Sequence, residues 1–199
     1  MLNYVFLAGM AVFALSSAFF YFIRRGKSDL NSPFLVSLIT LISYVLMWQG
    51  RITVVAEAGQ PIFWTRWLFY VFSCTLLMVE IAKQKDIRDR GMIQLLYLTA
   101  IVMFTGFLAA RDTTAVRWLH FAISCAAYAA LLLKLVPTGT TTSRWVNGYV
   151  FFGWTVFPIV FLLAPTGIGL MGAALANLLY LVLDIYTKVV FYVQAGKTP

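Results

Sequence analysis

Apolar residues along this chain gather in long blocks, with polar punctuation between them. Crossing a bilayer takes about 20 mostly apolar residues. Blocks of that length run at about 3–23, 32–50, 62–82, 91–110, 115–135, 145–164 and 168–194. The breaks, among them RRGKSDLNS, KQKDIRDR and PTGTTTS, are polar or rich in turn residues. Asn31-Ser32 before Pro33, and Ser143 before the sixth block, are placed to cap helix starts. No internal repeat is visible and no segment is long enough for a soluble domain. Residues 1–199 therefore read as a single all-α transmembrane domain, a seven-helix bundle with short loops. No small-residue cleavage site follows the first block before RRGK, so that block reads as a span rather than a cleaved signal.

Composition strengthens this reading. The chain is 62% hydrophobic and 11% charged, with a mean hydropathy of +0.87. A soluble domain carries about 25% charged residues, so there are too few polar groups here to cover a water-facing surface. Cys74 and Cys125 lie inside apolar blocks and do not look like an exposed disulfide.

The net charge of +8 would suit a nucleic-acid binder, but the basic residues are dispersed among apolar blocks, and topology accounts for them better. Arg24, Arg25, Lys27, Lys83, Lys85, Arg88, Arg90, Lys134, Arg144 and Lys197 fall on one side of the seven spans; Arg51, Arg111 and Arg117 fall on the other, with Arg66 close to them. The positive-inside rule places the first side in the cytoplasm. The expectation is a multi-pass protein of the cell membrane with its N-terminus outside and its C-terminus cytoplasmic, with lipid and not nucleic acid around it.

Four ionisable residues remain inside the spans: Arg66, Glu80, Asp184 and Lys188. Each costs at least about 2.5 kcal/mol at mid-membrane, so they should be paired and functional. Asp184 and Lys188 are four apart, on one helix face with about 6 Å of rise between them. That spacing suits either a structural ion pair or the anchor and counterion of a covalently bound cation. On the third span, Arg66, Phe69, Ser73 and Glu80 share a face at about 100° per residue, with Glu80 about 16 Å beyond Phe69. From outside inward that face reads cation, aromatic, hydroxyl, carboxylate. His120 has no neighbouring ligand spacing and reads as interfacial or packing. No metal motif, phosphate loop or nucleophile constellation is present, which points away from an enzyme.

Four stretches, in order on the seven spans, resemble the microbial rhodopsins. RWLFYVFSCTLLMVE (66–80) is similar to that family's third-helix motif, and LDIYTK (183–188) to its seventh-helix motif. GWTVFPIVF (153–161) resembles the sixth-helix wall of the retinal site, and FAISCAAY (121–128) the fifth-helix stretch around the ring of retinal. The resemblance implies all-trans retinal joined covalently to Lys188, with Asp184 as the counterion. It also implies that Tyr70, Trp154, Phe157, Pro158, Phe161, Phe121 and Ser124 line the chromophore. Outward pumps of the family carry a carboxylate where this chain has Phe69, which cannot accept a proton. Phe69, Ser73 and Glu80, with Cys74 after the serine, are similar to the motif of the schizorhodopsin group. The resemblance thus implies a light-driven inward proton pump, with Glu80 serving cytoplasmic release and Arg66 below Asp184, and a homotrimer. The alternatives are a photosensor without transport, or a pump of another direction or ion.

Overall fold

The computed structural model describes residues 1–23, 31–50, 53–56, 59–135 and 144–195, with Arg144 described by its backbone alone. Arg24, Arg25, Lys27, Arg51, Lys197 and the cap Ser143 lie outside the described residues. Helices α1 (Leu2–Ile23) and α2 (Ser32–Gln49) are followed by two short strands, β1 (Val54–Val55) and β2 (Pro61–Ile62). Helices α3 (Thr65–Gln84), α4 (Asp89–Arg111), α5 (Val116–Leu135) and α6 (Arg144–Leu163) come next. The last span consists of α7 (Ala173–Asp184), a π-helical segment (Ile185–Val190) and α8 (Phe191–Ala195). Among the described residues, seven helices are long and apolar enough to cross a membrane.

Local chemistry sets several of the ends. Asn31 caps α2, its side chain accepting the N–H of Phe34 at 3.2 Å, with Pro33 in the first turn. Gly50 closes the same helix in the left-handed conformation, φ 64°. Each helix packs on its neighbours in sequence, and α7 closes the ring against α1. Large apolar side chains such as Leu15, Phe22, Tyr97, Leu133 and Phe152 point outward, while Arg66, Asp184 and Lys188 point inward and are at most 1% exposed. This is the arrangement that a bilayer requires.

The bundle has two unlike ends. One holds the β1–β2 hairpin, in which Val54 pairs with Ile62 and Val55 with Pro61. The basic end carries Lys83, Lys85, Arg88 and Lys134. There Lys85, just past α3, is buried and donates to the carbonyl of Leu135 at the end of α5 and to Asn147 Oδ1 on α6. Burial pulls its amine below the ordinary lysine range.

The expected spans correspond to these helices, with two shifts at the hairpin end. Ile62, taken as the start of the third span, belongs with Pro61 to β2, and α3 begins at Thr65. The seventh helix starts at Ala173 rather than at 168, because Gly169 adopts φ 72° and Gly172 is extended.

Candidate functional site

Lys188 sits where the last span leaves α-helical geometry. In the π-helical turn the backbone bonds reach one residue further, as the Phe191 N–H does to the Tyr186 carbonyl. Such turns are uncommon and often mark functional sites. Gly153 on α6 lets that helix come close: a Cβ there would lie 3.0 Å from Tyr186 and 3.1 Å from Thr187. Across the same contact the Tyr149 hydroxyl donates to the Thr187 carbonyl.

The Lys188 Nζ donates to Asp184 Oδ1 at 2.7 Å. Tyr70 donates to that same oxygen at 2.7 Å, and Tyr44 donates to Asp184 Oδ2 at 2.9 Å. The carboxylate is fully buried and satisfied by one cation and two phenols. The ammonium also lies 3.9 Å from the centre of the Tyr70 ring, within cation–π range. Tyr70 therefore serves both partners, through its ring and through its hydroxyl.

A cavity of about 690 Å³ opens from Lys188 toward α4 and α5. Tyr70, Trp154, Phe157, Pro158, Phe161, Phe121 and Ser124, all expected from the sequence, line it. So do Cys74, Trp67, Leu77, Met103, Gly106, Cys125, Tyr128 and Thr187. Phe121 stacks on Phe161 at 5.0 Å, and Phe157 stands perpendicular to Tyr70 at 5.7 Å. Pro158 sits inside α6 and removes a backbone donor, the usual cause of a kink. A long apolar slot ending in one buried lysine suits a polyene aldehyde that condenses with the amine, and among the described residues Lys188 is the only lysine lining it.

Other sequence candidates fall elsewhere. Ser73 is fully buried but makes no hydrogen bond to Asp184 or Lys188. Phe69 is half-buried and does not line the cavity. Glu80, also half-buried, lies toward the basic end, with Gln84 Nε2 at 3.5 Å its hydrogen-bond neighbour. Arg66 is 1% exposed and does not snorkel. Its Nη2 donates to Asn177 Oδ1 at 3.0 Å, and its guanidinium lies over Tyr180 at 4.7 Å and Tyr44 at 5.4 Å. His120 is half-buried, and among the described residues no His, Cys, Asp or Glu cluster could hold a metal ion.

Tyr44 and Asn177 were not foreseen. Tyr44 lies 140 positions from Asp184, and its spacing on α2 says nothing about a partner on α7. Gly9 makes room for it, since a Cβ at that position would lie 2.3 Å from Tyr44 Cδ1. Gly9→Ala is therefore expected to push the ring off α1 and weaken its bond to Asp184. Overpacking of this kind costs about 1–3 kcal/mol, to be seen as a lower melting temperature together with a displaced absorption maximum.

Comparison with known proteins agrees with this geometry. Bacteriorhodopsin of Halobacterium salinarum is 26% identical over 204 residues, covering 92% of this chain and 78% of its own. Sensory rhodopsin-2 of Haloarcula vallismortis is 27% identical over 169 residues, covering 79% and 71%. The crystal structure of schizorhodopsin 4 superposes with a TM-score of 0.92 at 35% identity, covering 99% of this chain and 100% of that one. Residues 1–196 match the model of the bacteriorhodopsin-like protein family, and the chain belongs to that family of membrane proteins, whose members bind retinal covalently through a lysine.

Proposed function

We propose that this chain is a light-driven inward proton pump, taking protons up at the hairpin end and releasing them at the basic end. The observation that carries this reading is the placement of its carboxylates. Asp184, on the lysine's own helix, is the carboxylate bonded to Lys188, and on α3 position 69 is a phenylalanine. No α3 acceptor toward the hairpin end is therefore offered at that position. The α3 carboxylate is Glu80, on the basic side of the lysine. The similarity to schizorhodopsin 4 supports the same reading. The lysines and arginines gathered at the basic end favour placing that end in the cytoplasm.

Bound at Lys188 and lying along the α4–α5 cavity, retinal would supply light absorption and a change of shape about the lysine nitrogen. The protein's share is electrostatic and steric. Asp184 balances the charge on Lys188, and the two phenols fix the carboxylate's orientation. Trp154 and Phe157 hold the cavity walls. When the nitrogen is turned away from Asp184, its proton loses that partner. Glu80 stands half-exposed further along α3, where a carboxylate polarises or relays a proton passing to water.

The test is the pH of a lightly buffered suspension of cells expressing the protein with all-trans retinal. Illumination is expected to make the medium more alkaline, and a protonophore to abolish the change. Acidification of the medium would overturn the direction, and a coloured pigment without any pH change would indicate sensing or another ion.

A further inference from the structure

Tyr149 stands beside the lysine's backbone rather than at its amine. It lies on α6 four residues before Gly153, so the two share a face, and that face meets the π-helical turn. Its ring is buried and held in place, stacked on Phe191 at 4.6 Å and tilted against Tyr186 at 5.5 Å. The hydroxyl so fixed donates to the carbonyl of Thr187, the residue before Lys188.

That carbonyl has lost its usual donor. In an α-helix it would receive the Phe191 N–H, but the π turn gives that N–H to Tyr186. The Thr187 hydroxyl offers no substitute, since it donates to the Leu183 carbonyl at 2.7 Å. A buried carbonyl without a partner is costly, and Tyr149 supplies one from a neighbouring helix. The oxygen of the same phenol faces Trp154: the indole N–H, which can only donate, lies within hydrogen-bond reach of it. Trp154 in turn lines the cavity that ends at Lys188. One hydroxyl therefore stands between a wall of the retinal cavity and the backbone from which Lys188 projects.

We propose that Tyr149 is a positioning residue that couples this wall to the lysine's backbone, accepting from the Trp154 indole and donating to the Thr187 carbonyl. In the dark the link holds the π turn so that Lys188 points at Asp184. When retinal changes shape and displaces Trp154, the link loosens and the turn is free to rotate the lysine nitrogen away. Re-forming the link then draws the lysine back. The proposal rests on retinal at Lys188 and is independent of the ion moved and its direction, so purified pigment tests it whatever the transport assay shows.

Thr-Lys occurs once in the chain, at 187–188. Protein grown with carbonyl-¹³C threonine and ¹⁵N lysine thus carries one doubly labelled peptide bond, and solid-state NMR reads that carbonyl alone. In the native pigment its resonance is expected to shift between the dark state and a state trapped under illumination at low temperature. Tyr149→Phe keeps the ring and removes the hydroxyl. It is expected to move the dark resonance upfield, abolish the light-induced shift and slow recovery of the dark absorption about fivefold, the rate equivalent of one ordinary hydrogen bond. In Trp154→Phe, which lacks the indole N–H, adding Tyr149→Phe is expected to slow recovery little further. A native carbonyl resonance identical in dark and light would overturn the proposal and leave Tyr149 a static support, a result that needs no variant to fold. Recovery unaltered by Tyr149→Phe would overturn it too, and so would effects of the two substitutions that simply multiply.

Discussion

Asp184→Asn is expected to move the retinal-loaded protein's absorption from the visible to the near ultraviolet at neutral pH. In the native site, Asp184 is the anion within hydrogen-bond distance of Lys188, at 2.7 Å, and both groups are buried. Removing one partner of a buried ion pair leaves the other charge uncompensated, at a cost of about 3–5 kcal/mol. With Arg66 also buried nearby, that penalty is best relieved by loss of the proton from the lysine nitrogen, and acidification should restore the visible band. The two phenols make the asparagine a poor substitute. Tyr44 and Tyr70 each donate to a carboxylate oxygen, and an amide offers one good acceptor where the carboxylate offered two. Absorption spectra recorded across a pH series check this. A variant that keeps its native colour at neutral pH would show that another group balances Lys188.

Glu80→Gln is expected to cut light-driven proton movement by about a hundredfold while leaving the absorption maximum nearly in place. General acid–base groups contribute about 10²–10⁴ in rate, and the amide keeps the size of the carboxylate without its capacity to hold or attract a proton. Glu80 makes no bond to Asp184 or Lys188 and lies outside the cavity, so the colour has little reason to change. Initial slopes of the light-induced pH change, normalised to pigment content, decide the matter. An unaltered slope would remove Glu80 from the release path.

Much of this site was legible in the chain. LDIYTK carries both members of the ion pair at a spacing that any helix, α or π, brings within reach. The α6 residues Trp154, Phe157 and Phe161 fall on one face by helical period alone and line the expected cavity. The third-helix candidates fared unevenly. Arg66 and Ser73 are buried, whereas Phe69 and Glu80 are half-buried, because a shared face on a helix can straddle the boundary between core and lipid. The β1–β2 hairpin has strands of two residues each, too short for any periodicity to announce. Tyr70, read as a wall of the cavity, proved also to be a donor to Asp184.

The sequence by itself determined the number of spans, the two charges that meet in the last of them, and the aromatic wall, because hydropathy and helical period act over a few residues. Only the tertiary structure decided what completes the site. Tyr44 reaches Asp184 from α2 because Gly9 leaves space for its ring, and Asn177 takes up one arm of Arg66 from α7. The π-helical turn that carries Lys188 lies against Gly153 and Tyr149 of α6. These depend on how separate helices rotate and close on one another, which is fixed by packing among all seven and not by the residues along any one of them.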